Sequence, residues 1–225
     1  YAFMSKAQIH HGRNIIVMPT GTGKTETMLS ILIANQCAKV LVTVPSDALR
    51  DQLANKFFTL GVLHKFGIVT SDCSYPNVGI VKEGMDYNGW YTLIEKSNVI
   101  ITTMPLITNC ESEIINLLKE NISHLFVDEA HHSEAKTWSE FIDSFDDEKV
   151  TLFTATPFRN DSRRLKGDFI YNFSLKDAQS QGYYKPIKFI PIREYDLIQA
   201  DKHIAEVAVK QLRSDMENGY DHILM

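Results

Sequence analysis

The stretch Met18-Pro19-Thr20-Gly21-Thr22-Gly23-Lys24-Thr25 decides the fold that this sequence predicts. An apolar run at residues 14–17 comes directly before it, and a helical pattern at residues 26–36 follows. A strand, a glycine loop and a helix in this order form a cradle for phosphate, because the loop turns its N–H groups inward and the helix adds its positive N-terminal end. We therefore predict that the loop from Pro19 to Thr25 binds a nucleotide.

Individual residues of the loop suit separate parts of a nucleotide. Gly21 and Gly23 let the backbone approach phosphate groups without a Cβ clash. Lys24 is predicted to reach the β- and γ-phosphates as a catalytic cation, and the Thr25 hydroxyl to ligate Mg²⁺. Met18 stands where the motif G-x-x-x-x-G-K-[ST] begins with glycine, and a short Gly-Lys-Thr run also occurs by chance in surface turns. The flanking strand and helix favour the phosphate-binding interpretation.

The composition is typical of a soluble globular protein. The 225 residues are 44% hydrophobic and 23% charged, enough for one large α/β domain or for one domain and part of another. Basic residues number 23 against 28 acidic ones, so the net charge of −5 supplies no overall field that attracts nucleic acid, although a groove can be locally positive. No apolar run approaches the ~18 residues of a membrane span, and no signal peptide is recognisable.

The number and spacing of the cysteines indicate the redox environment of the protein. Cys37, Cys73 and Cys110 are odd in number and widely spaced, without a C-x-x-C pattern. This spacing argues against a disulfide framework and against a zinc site. We predict a cytoplasmic protein with no membrane partner.

Apolar runs alternate with helical patterns along much of the chain. The runs are rich in Ile and Val without polar alternation, as expected of strands buried on both faces. Such an alternation predicts an α/β fold in which a mostly parallel central sheet carries helices on both faces. The predicted strands are Asn14–Met18, Lys39–Val44, Asn98–Thr102, His124–Val127 and Val150–Phe153. The predicted helices are Glu26–Gln36, Asp47–Leu60, Glu111–Asn121 and Trp138–Phe145.

The region after the second predicted helix is less regular. Phe66–Thr70 and Val78–Val81 have the composition of two further strands, and Gly84–Trp90 has that of a surface loop. The rings of Trp90 and Tyr91 can either stack on a nucleic-acid base or pack in the core. We favour the core.

The character of the sequence changes after Pro157. We assign residues 1–195 to one nucleotide-binding domain and residues 196–225 to a linker and the truncated start of a second domain. The chain stops where a further strand begins, at residues 221–225, which indicates a fragment. The elements predicted in this half are a basic loop (Arg159, Arg163, Arg164, Lys166), a helix at Ser174–Gln181, a strand at Ile187–Tyr195 and a helix at His203–Asn218.

Two carboxylates follow the predicted strand His124–Val127, where the sequence continues Asp128-Glu129-Ala130-His131. Loops at the carboxyl ends of parallel strands share one edge of a sheet, so this pair is predicted to face the glycine loop. Asp128 suits a magnesium ligand acting with Thr25, and Glu129 suits the catalytic group that orients the attacking water. Two adjacent carboxylates alone more often mark a solvated strand end. Their pairing with a Gly-Lys-Thr loop favours an ATP site with Mg²⁺ as cofactor.

Three motifs together resemble the first motor domain of superfamily 2 helicases and translocases. They are the loop from Met18 to Thr25, the Asp-Glu-Ala-His run (a DEAH box) and Thr154-Ala155-Thr156-Pro157, in the family's order. In that superfamily the first glycine of the loop is often another residue, which agrees with Met18.

Further matches support this resemblance. Val44-Pro45-Ser46, with Leu49 and Gln52, is similar to motif Ia, and Thr102-Thr103 is similar to motif Ib. The run Ala178–Pro186, which contains Gly182-Tyr183-Tyr184-Lys185-Pro186, is similar to the branch of type III restriction subunits. The resemblance covers about residues 13–195.

The resemblance implies a RecA-like P-loop NTPase lobe that moves along nucleic acid together with a second lobe. It implies that His131, Thr154 and Thr156 couple the state of ATP to movement of the strand. The residues that inherit contacts with the nucleic-acid backbone are Pro45, Ser46, Arg50, Thr102 and Thr103. Structural alternatives stay open, since Ser46 is also a good helix N-cap and threonines suit strand ends. The implied partners are nucleic acid, with DNA favoured over RNA, the second RecA-like domain of the same chain, and a nuclease or methyltransferase.

The implied function is an ATP hydrolase that couples hydrolysis to movement along DNA or RNA. A second-lobe arginine supplies ~10³–10⁵ in rate, so this fragment is expected to bind ATP weakly and to hydrolyse it slowly. The alternative is a nucleotide-binding switch or scaffold without turnover, in which Glu129 would have no role. A small-molecule P-loop kinase is disfavoured, because it would have no use for the Thr-Ala-Thr-Pro segment.

Overall fold

The computed structural model describes residues 12–132, 136–156, 165–184, 191–192 and 196–219. Several predictions fall wholly or largely outside these ranges. They are the basic loop at 159–164, the strand at 187–195 and the start of a strand at 221–225.

Seven parallel strands form one sheet in the order β3-β4-β2-β5-β6-β1-β7. The strands are β1 (Asn14–Val17), β2 (Val40–Val44), β3 (Val78–Ile80), β4 (Val99–Thr103), β5 (His124–Val127), β6 (Val150–Thr154) and β7 (Asp168–Asn172). All five strands predicted from apolar runs are confirmed, with bounds that differ by one residue at most.

Helices connect most of these strands. They are α1 (Lys24–Ala34), α2 (Asp47–Thr59), α3 (Tyr87–Lys96), α4 (Met104–Thr108), α5 (Ser112–Asn121), α6 (Lys136–Asp143), α7 (Leu175–Ser180) and α8 (Leu197–Glu217). Short 3₁₀ turns lie at Ala130–His132 and Asp147–Lys149. Within the described ranges, none of the helices combines the length and the apolar composition that crossing a bilayer requires.

The sheet is buried on both faces. Along β1, Ile15 and Val17 belong to one apolar cluster and Ile16 to the other, because successive side chains of a strand point to opposite faces. Helices α3, α5 and α6 supply Trp90, Ile94, Ile114, Leu118, Phe141 and Ile142 to the first cluster. Helices α1 and α2 supply Met28, Leu29, Leu32, Leu53 and Phe57 to the second. The predicted α/β class, with helices on both faces, is confirmed.

Two predictions in the irregular region are wrong. Residues 66–70 form turns and bends instead of a strand. The side chains of Phe66 and Ile68 are 68% and 60% exposed, whereas those of a central strand would be buried. The supposed loop at 84–90 contains the start of α3, because the Asp86 carboxylate caps that helix by accepting a hydrogen bond from the Gly89 N–H at 2.8 Å.

The two neighbouring aromatic residues of α3 have different environments. Trp90 is 1% exposed, as predicted for a core residue. Tyr91 is 47% exposed and donates a hydrogen bond to the Glu95 carboxylate at 3.0 Å, so its predicted core role is wrong. Residues three or four apart share a helix face, and Tyr91 lies on the outer one with Glu95.

Strand β7 was not predicted. It pairs with β1 at the edge of the sheet, with a register shift between Ile15 and Ile16, and only Ile170 of its five residues is buried. An edge strand with one buried side chain lacks the continuous apolar run that identifies the central strands.

Arg13 anchors the beginning of β1. Its side chain is 7% exposed and forms ion pairs with Asp143 at 2.9 Å and with Asp147 at 2.5 Å. These contacts join β1 to the end of α6 and to the following 3₁₀ turn. A buried guanidinium requires such partners, because an unpaired charge in the interior is costly.

Replacing Arg13 by alanine is expected to lower the free energy of unfolding by about 2–3 kcal/mol, since both the ion pairs and the packing of the stem are lost. Urea denaturation monitored by circular dichroism measures this change. The matched control is Lys136→Ala, which removes the exposed pair with Glu140 at 3.6 Å and should cost less than about 0.5 kcal/mol. Equal costs for the two variants would contradict the anchoring role.

The contacts between Cα atoms divide the chain into two units, Tyr1–Tyr184 and Lys185–Met225. The first unit contains the sheet. The second contains α8, on which Ile204, Val209 and Met216 are exposed. The predicted domain boundary after residue 195 stays a prediction.

Candidate nucleotide-binding site

The predicted motifs meet along one edge of the sheet. They follow the carboxyl ends of β1, β5 and β6, and these strands are neighbours in the order β5-β6-β1. The Met18 N–H donates to the Thr154 carbonyl at 2.9 Å, which joins the glycine loop to the end of β6. The Asp128 N–H donates to the Thr43 carbonyl at 2.9 Å, which joins the acidic pair to β2. This edge is where parallel α/β sheets bind ligands.

The loop between β1 and α1 has the backbone of a phosphate cradle. The hydroxyl of Thr22 donates to the Pro19 carbonyl at 2.7 Å and closes the turn. Gly21 and Gly23 have φ angles of 79° and 102°, a region that favours glycine over residues with a Cβ. Gly23 is the N-cap of α1, so the positive end of this helix faces the loop.

Met18 has a structural reason to replace the first glycine of the motif. Its side chain is buried in the same apolar cluster as Met28 of α1. The Thr27 hydroxyl lies 3.4 Å from the Met18 sulfur and also donates to the Gly23 carbonyl at 3.0 Å. The methionine therefore packs against α1 as a core residue, and the two following glycines supply the flexible positions of the loop.

Lys24 brings the loop and the acidic pair together. Its side chain is 8% exposed, and its ammonium donates a hydrogen bond to the Glu129 carboxylate. The same Nζ lies 3.8 Å from Oδ1 of Asp128. Residues more than a hundred positions apart in sequence thus form one charged cluster, as the sequence analysis predicted. In this arrangement the carboxylates supply the partners that a buried ammonium needs.

The acidic pair lies on a strained turn. Glu129 has a φ of 49°, and its N–H donates to Oδ1 of Asp128 at 3.0 Å. A non-glycine residue in the left-handed region is uncommon and often occurs at functional sites. Burial raises the pKa of Asp128 above its ordinary value, and the nearby Glu129 carboxylate raises it further, while the Lys24 ammonium opposes both effects.

The predicted coupling residues form a chain of polar contacts that starts at Glu129. Nδ1 of His131 lies 3.4 Å from Oε2 of Glu129 and 3.1 Å from the Thr154 hydroxyl. That hydroxyl donates to the Thr156 carbonyl at 2.8 Å. The acidic pair is therefore linked physically to the segment after β6.

The side chains of Thr25 and Asp128 have the chemistry that a magnesium ion prefers. Thr25 is half-buried in the first turn of α1, directly after the lysine that contacts Asp128. A hydroxyl and a carboxylate are hard oxygen donors, and Mg²⁺ typically takes one or two protein ligands together with water and phosphate oxygens. The described ranges contain no cluster of three or more His, Cys, Asp or Glu side chains arranged for a metal, and this kind of magnesium site needs none.

Ser46 and Arg50 lie after β2 at the same edge. Ser46 is exposed and is the N-cap residue of α2, in agreement with the structural alternative left open for it, but its hydroxyl makes no capping hydrogen bond. The guanidinium of Arg50 is paired with Asp47 at 2.7 Å and with Asp51 at 3.0 Å. It also donates to the Val81 carbonyl at 3.3 Å, so Arg50 ties α2 to the end of β3.

The remaining predicted nucleic-acid residues differ in exposure. Pro45 is half-buried between β2 and α2. Thr102 and Thr103 are buried, and the Thr102 hydroxyl donates to the Thr103 carbonyl at 3.3 Å. Thr103 pairs in register with Val44, so the ends of β4 and β2 lie side by side.

One neighbour of the loop had no predicted role. The hydroxyl of Tyr184 lies 3.9 Å from the position that a Cβ on Gly21 would occupy. Its signal in the sequence is the Gly-Tyr-Tyr run, which supports the family resemblance but does not by itself indicate a contact with the loop.

Together, the parallel sheet, the glycine loop after β1 and the acidic pair after β5 define a RecA-like nucleotide-binding domain. The chain belongs to the family described as "Type III restriction enzyme, res subunit", whose sequence profile matches residues 2–159. No curated protein matches the chain.

Solved structures share this fold. The Hef helicase domain of Pyrococcus furiosus is 22% identical, with a TM-score of 0.53 over 84% of this chain and 41% of that one. A nuclease-deletion mutant of the type ISP restriction-modification enzyme LlaGI, in complex with a DNA substrate mimic, is 19% identical, with a TM-score of 0.52 over 80% of this chain and 17% of that one. The chain thus spans less than half of either structure. Its fold is that of a RecA-like helicase domain.

Proposed function

We propose that the chain is the ATP-binding motor lobe of a nucleic-acid-dependent ATPase, which couples ATP hydrolysis to movement along the nucleic acid. The observation that carries this proposal is the contact of Lys24 with both Glu129 and Asp128. A lysine from a glycine loop and two carboxylates from another strand end are the groups that a triphosphate, its metal and an attacking water require.

Binding begins with an exchange of partners at Lys24. In the free lobe its ammonium is held by Glu129. When a triphosphate enters, the loop N–H groups and the end of α1 bind the phosphates, and Lys24 turns to the β- and γ-phosphate oxygens. Thr25 and Asp128 would hold Mg²⁺, which neutralises charge on these phosphates when it is bound.

Release of Lys24 frees Glu129 for catalysis. Its carboxylate then orients the water that attacks the γ-phosphorus and accepts a proton from it. His131 contacts both Glu129 and Thr154, so a movement of the carboxylate is transmitted to Thr154 and Thr156. We propose that this is how the state of the nucleotide reaches the segment after β6.

The nucleic acid lies across the neighbouring ends of β2 and β4. The exposed Ser46 hydroxyl and the N-terminal N–H groups of α2 suit phosphate oxygens, without reading the bases. Arg50 is already paired with two carboxylates, so its part is to hold α2 in place. Pro45, Thr102 and Thr103 shape this end of the sheet. We propose DNA as the substrate, because the LlaGI complex contains a DNA substrate mimic.

A second RecA-like lobe completes the motor. We propose that residues 1–195 form the first lobe, that residues 196–225 lead into the second, and that the second lobe supplies the arginine that stabilises the transition state. A nuclease or methyltransferase partner, and a cytoplasmic location, would suit a restriction-type motor.

The test is ATP hydrolysis by a protein that carries both lobes, measured with and without single- and double-stranded DNA and RNA. DNA is expected to raise kcat at least about tenfold at moderate salt, with a smaller effect of RNA. ATP binding without turnover on any nucleic acid would instead support a nucleotide-dependent switch or scaffold and would overturn the motor proposal.

Replacing Ser46 by aspartate separates nucleic-acid binding from folding. The carboxylate suits a helix N-cap, so stability should be kept or raised, while its charge repels phosphate at the proposed contact. We expect the nucleic-acid concentration for half-maximal ATPase to rise about tenfold. The control is Asn55→Asp, the same charge change about 13 Å further along α2, which should have little effect. Equal effects of the two variants would contradict a contact at Ser46.

A further inference from the structure

The segment after β7 returns to the glycine loop. The Phe173 N–H donates to the carbonyl of Val17, the last residue of β1, at 2.8 Å. The next residue, Ser174, starts α7 with a capping box, in which its hydroxyl accepts from the Asp177 N–H at 3.1 Å and the Asp177 carboxylate accepts from the Ser174 N–H at 3.3 Å. The course of the chain after β7 is therefore fixed by hydrogen bonds at both ends of a short connection.

The turn after α7 directs Tyr184 to the loop. The chain reverses at Gly182, whose φ is 79°, and the Tyr183 N–H donates to the Ala178 carbonyl at 2.9 Å. The Tyr183 ring packs edge-on against Phe173, with 5.8 Å between the ring centroids. The next residue, Tyr184, then carries its hydroxyl to 3.9 Å from the Cβ position of Gly21.

The Tyr184 hydroxyl is available as a donor. Among the described residues, no hydrogen bond engages it, and the side chain is half-buried. Gly21 is exposed and belongs to the loop whose N–H groups are proposed to hold phosphate. A phenol hydroxyl beside such a loop can donate to an anionic oxygen, which gives a charge-assisted hydrogen bond.

Tyr184 belongs to the segment that follows β7, and β7 lies on the side of β1 opposite to the acidic pair. The order β5-β6-β1-β7 puts the strand that carries Asp128 and Glu129 on one side of β1 and β7 on the other. A donor on the β7 side can therefore bind the nucleotide without competing with the carboxylates for Lys24 or for a metal.

We infer that Tyr184 is a nucleotide-binding residue whose hydroxyl donates a hydrogen bond to the phosphate chain of the bound nucleotide. This inference rests on the proposed nucleotide site and adds a contact from the segment after β7. It assigns a binding role to a residue of the Gly-Tyr-Tyr run.

The experiment is calorimetric titration of the 225-residue chain with Mg·ATP. Tyr184→Phe removes only the hydroxyl and is expected to raise the Kd about tenfold. Tyr183→Phe makes the same chemical change one residue earlier, on a ring that packs against Phe173, and should leave the Kd within about twofold. Circular dichroism melting of each variant checks that the fold is kept.

A second measurement needs no substitution. Tetranitromethane nitrates exposed tyrosines, and mass spectrometry follows the two neighbouring residues separately. Mg·ATP is expected to slow nitration of Tyr184 and to leave Tyr183, which is 58% exposed, unaffected.

Lys24→Ala separates failure of this inference from failure of the proposed site. The site stands if the unmodified chain binds ATP and Lys24→Ala does not. In that case the inference on Tyr184 is overturned if Tyr184→Phe binds ATP as tightly as the unmodified chain and Mg·ATP does not protect Tyr184 from nitration. If the unmodified chain does not bind ATP, both are overturned.

Discussion

Replacing Glu129 by glutamine is expected to leave ATP binding intact and to slow hydrolysis by a factor of about 10²–10⁴. Glutamine keeps the size of the side chain and an oxygen that can accept a hydrogen bond from Lys24, but it cannot take a proton from the attacking water. The free lobe must also break the Lys24–Glu129 ion pair before Lys24 can reach phosphate. Weakening this pair should therefore leave the Kd for ATP unchanged or make it smaller.

The measurement combines single-turnover hydrolysis, in a protein with both lobes, with calorimetric binding of Mg·ATP. Glu26→Gln is the matched control, because Glu26 is also a carboxylate beside the loop but pairs with Lys56 at 2.8 Å. This control should leave hydrolysis within about twofold. A parallel loss of binding and hydrolysis in Glu129→Gln would remove Glu129 from the catalytic role.

Replacing Lys24 by alanine is expected to abolish both binding and turnover, with the Kd for ATP raised about a hundredfold or more. The ammonium contacts both carboxylates of the acidic pair, and charged hydrogen bonds to phosphate are strong. Its loss also leaves Asp128 and Glu129 facing the incoming phosphates without a compensating charge.

The matched control for that variant is Lys56→Ala, which removes a lysine that pairs with α1 outside the acidic cluster. Its effect on ATP binding should be within about twofold. Comparable losses in Lys24→Ala and Lys56→Ala would indicate a general loss of structure, and unchanged binding in Lys24→Ala would place the nucleotide elsewhere.

Sequence patterns predicted the centre of this fold well, because the central strands have an unambiguous composition. The run at residues 14–17 and the runs of β2, β4, β5 and β6 consist mainly of Ile, Val, Leu and Phe without regular polar alternation, as expected of a sheet covered on both faces. The position of the glycine loop and the acidic pair at one edge of the sheet followed from the rule that loops at the carboxyl ends of parallel strands share an edge.

The sheet edge and surface were predicted less well, because the interactions that decide them are not local. Strand β7 is specified by pairing with β1, a partner about 150 residues earlier, and only Ile170 in it is buried. The predicted strand around Phe66 failed because apolar composition does not show whether a neighbouring strand is available. Local signals were nevertheless present for α3, where Asp86 is a capping residue.

Contacts in the site that depend on how separate elements pack together could not be predicted from the sequence either. The burial of Met18 depends on its packing with residues of α1, and the approach of Tyr184 to Gly21 depends on the course of the chain after β7. Arg50 was predicted to contact nucleic acid because of its position and charge. In the structure its guanidinium forms ion pairs with the neighbouring Asp47 and Asp51.

We propose that the loop after β1 and the acidic pair after β5 hold one magnesium nucleotide between them. A crystal structure of the chain with Mg²⁺ and a non-hydrolysable ATP analogue tests this proposal. We expect a magnesium ion about 2.1 Å from the Thr25 hydroxyl, with Asp128 bound to it directly or through one water, and Lys24 on the phosphates instead of on Glu129. A nucleotide bound away from the loop, or a magnesium ion that neither Thr25 nor Asp128 holds, would contradict it.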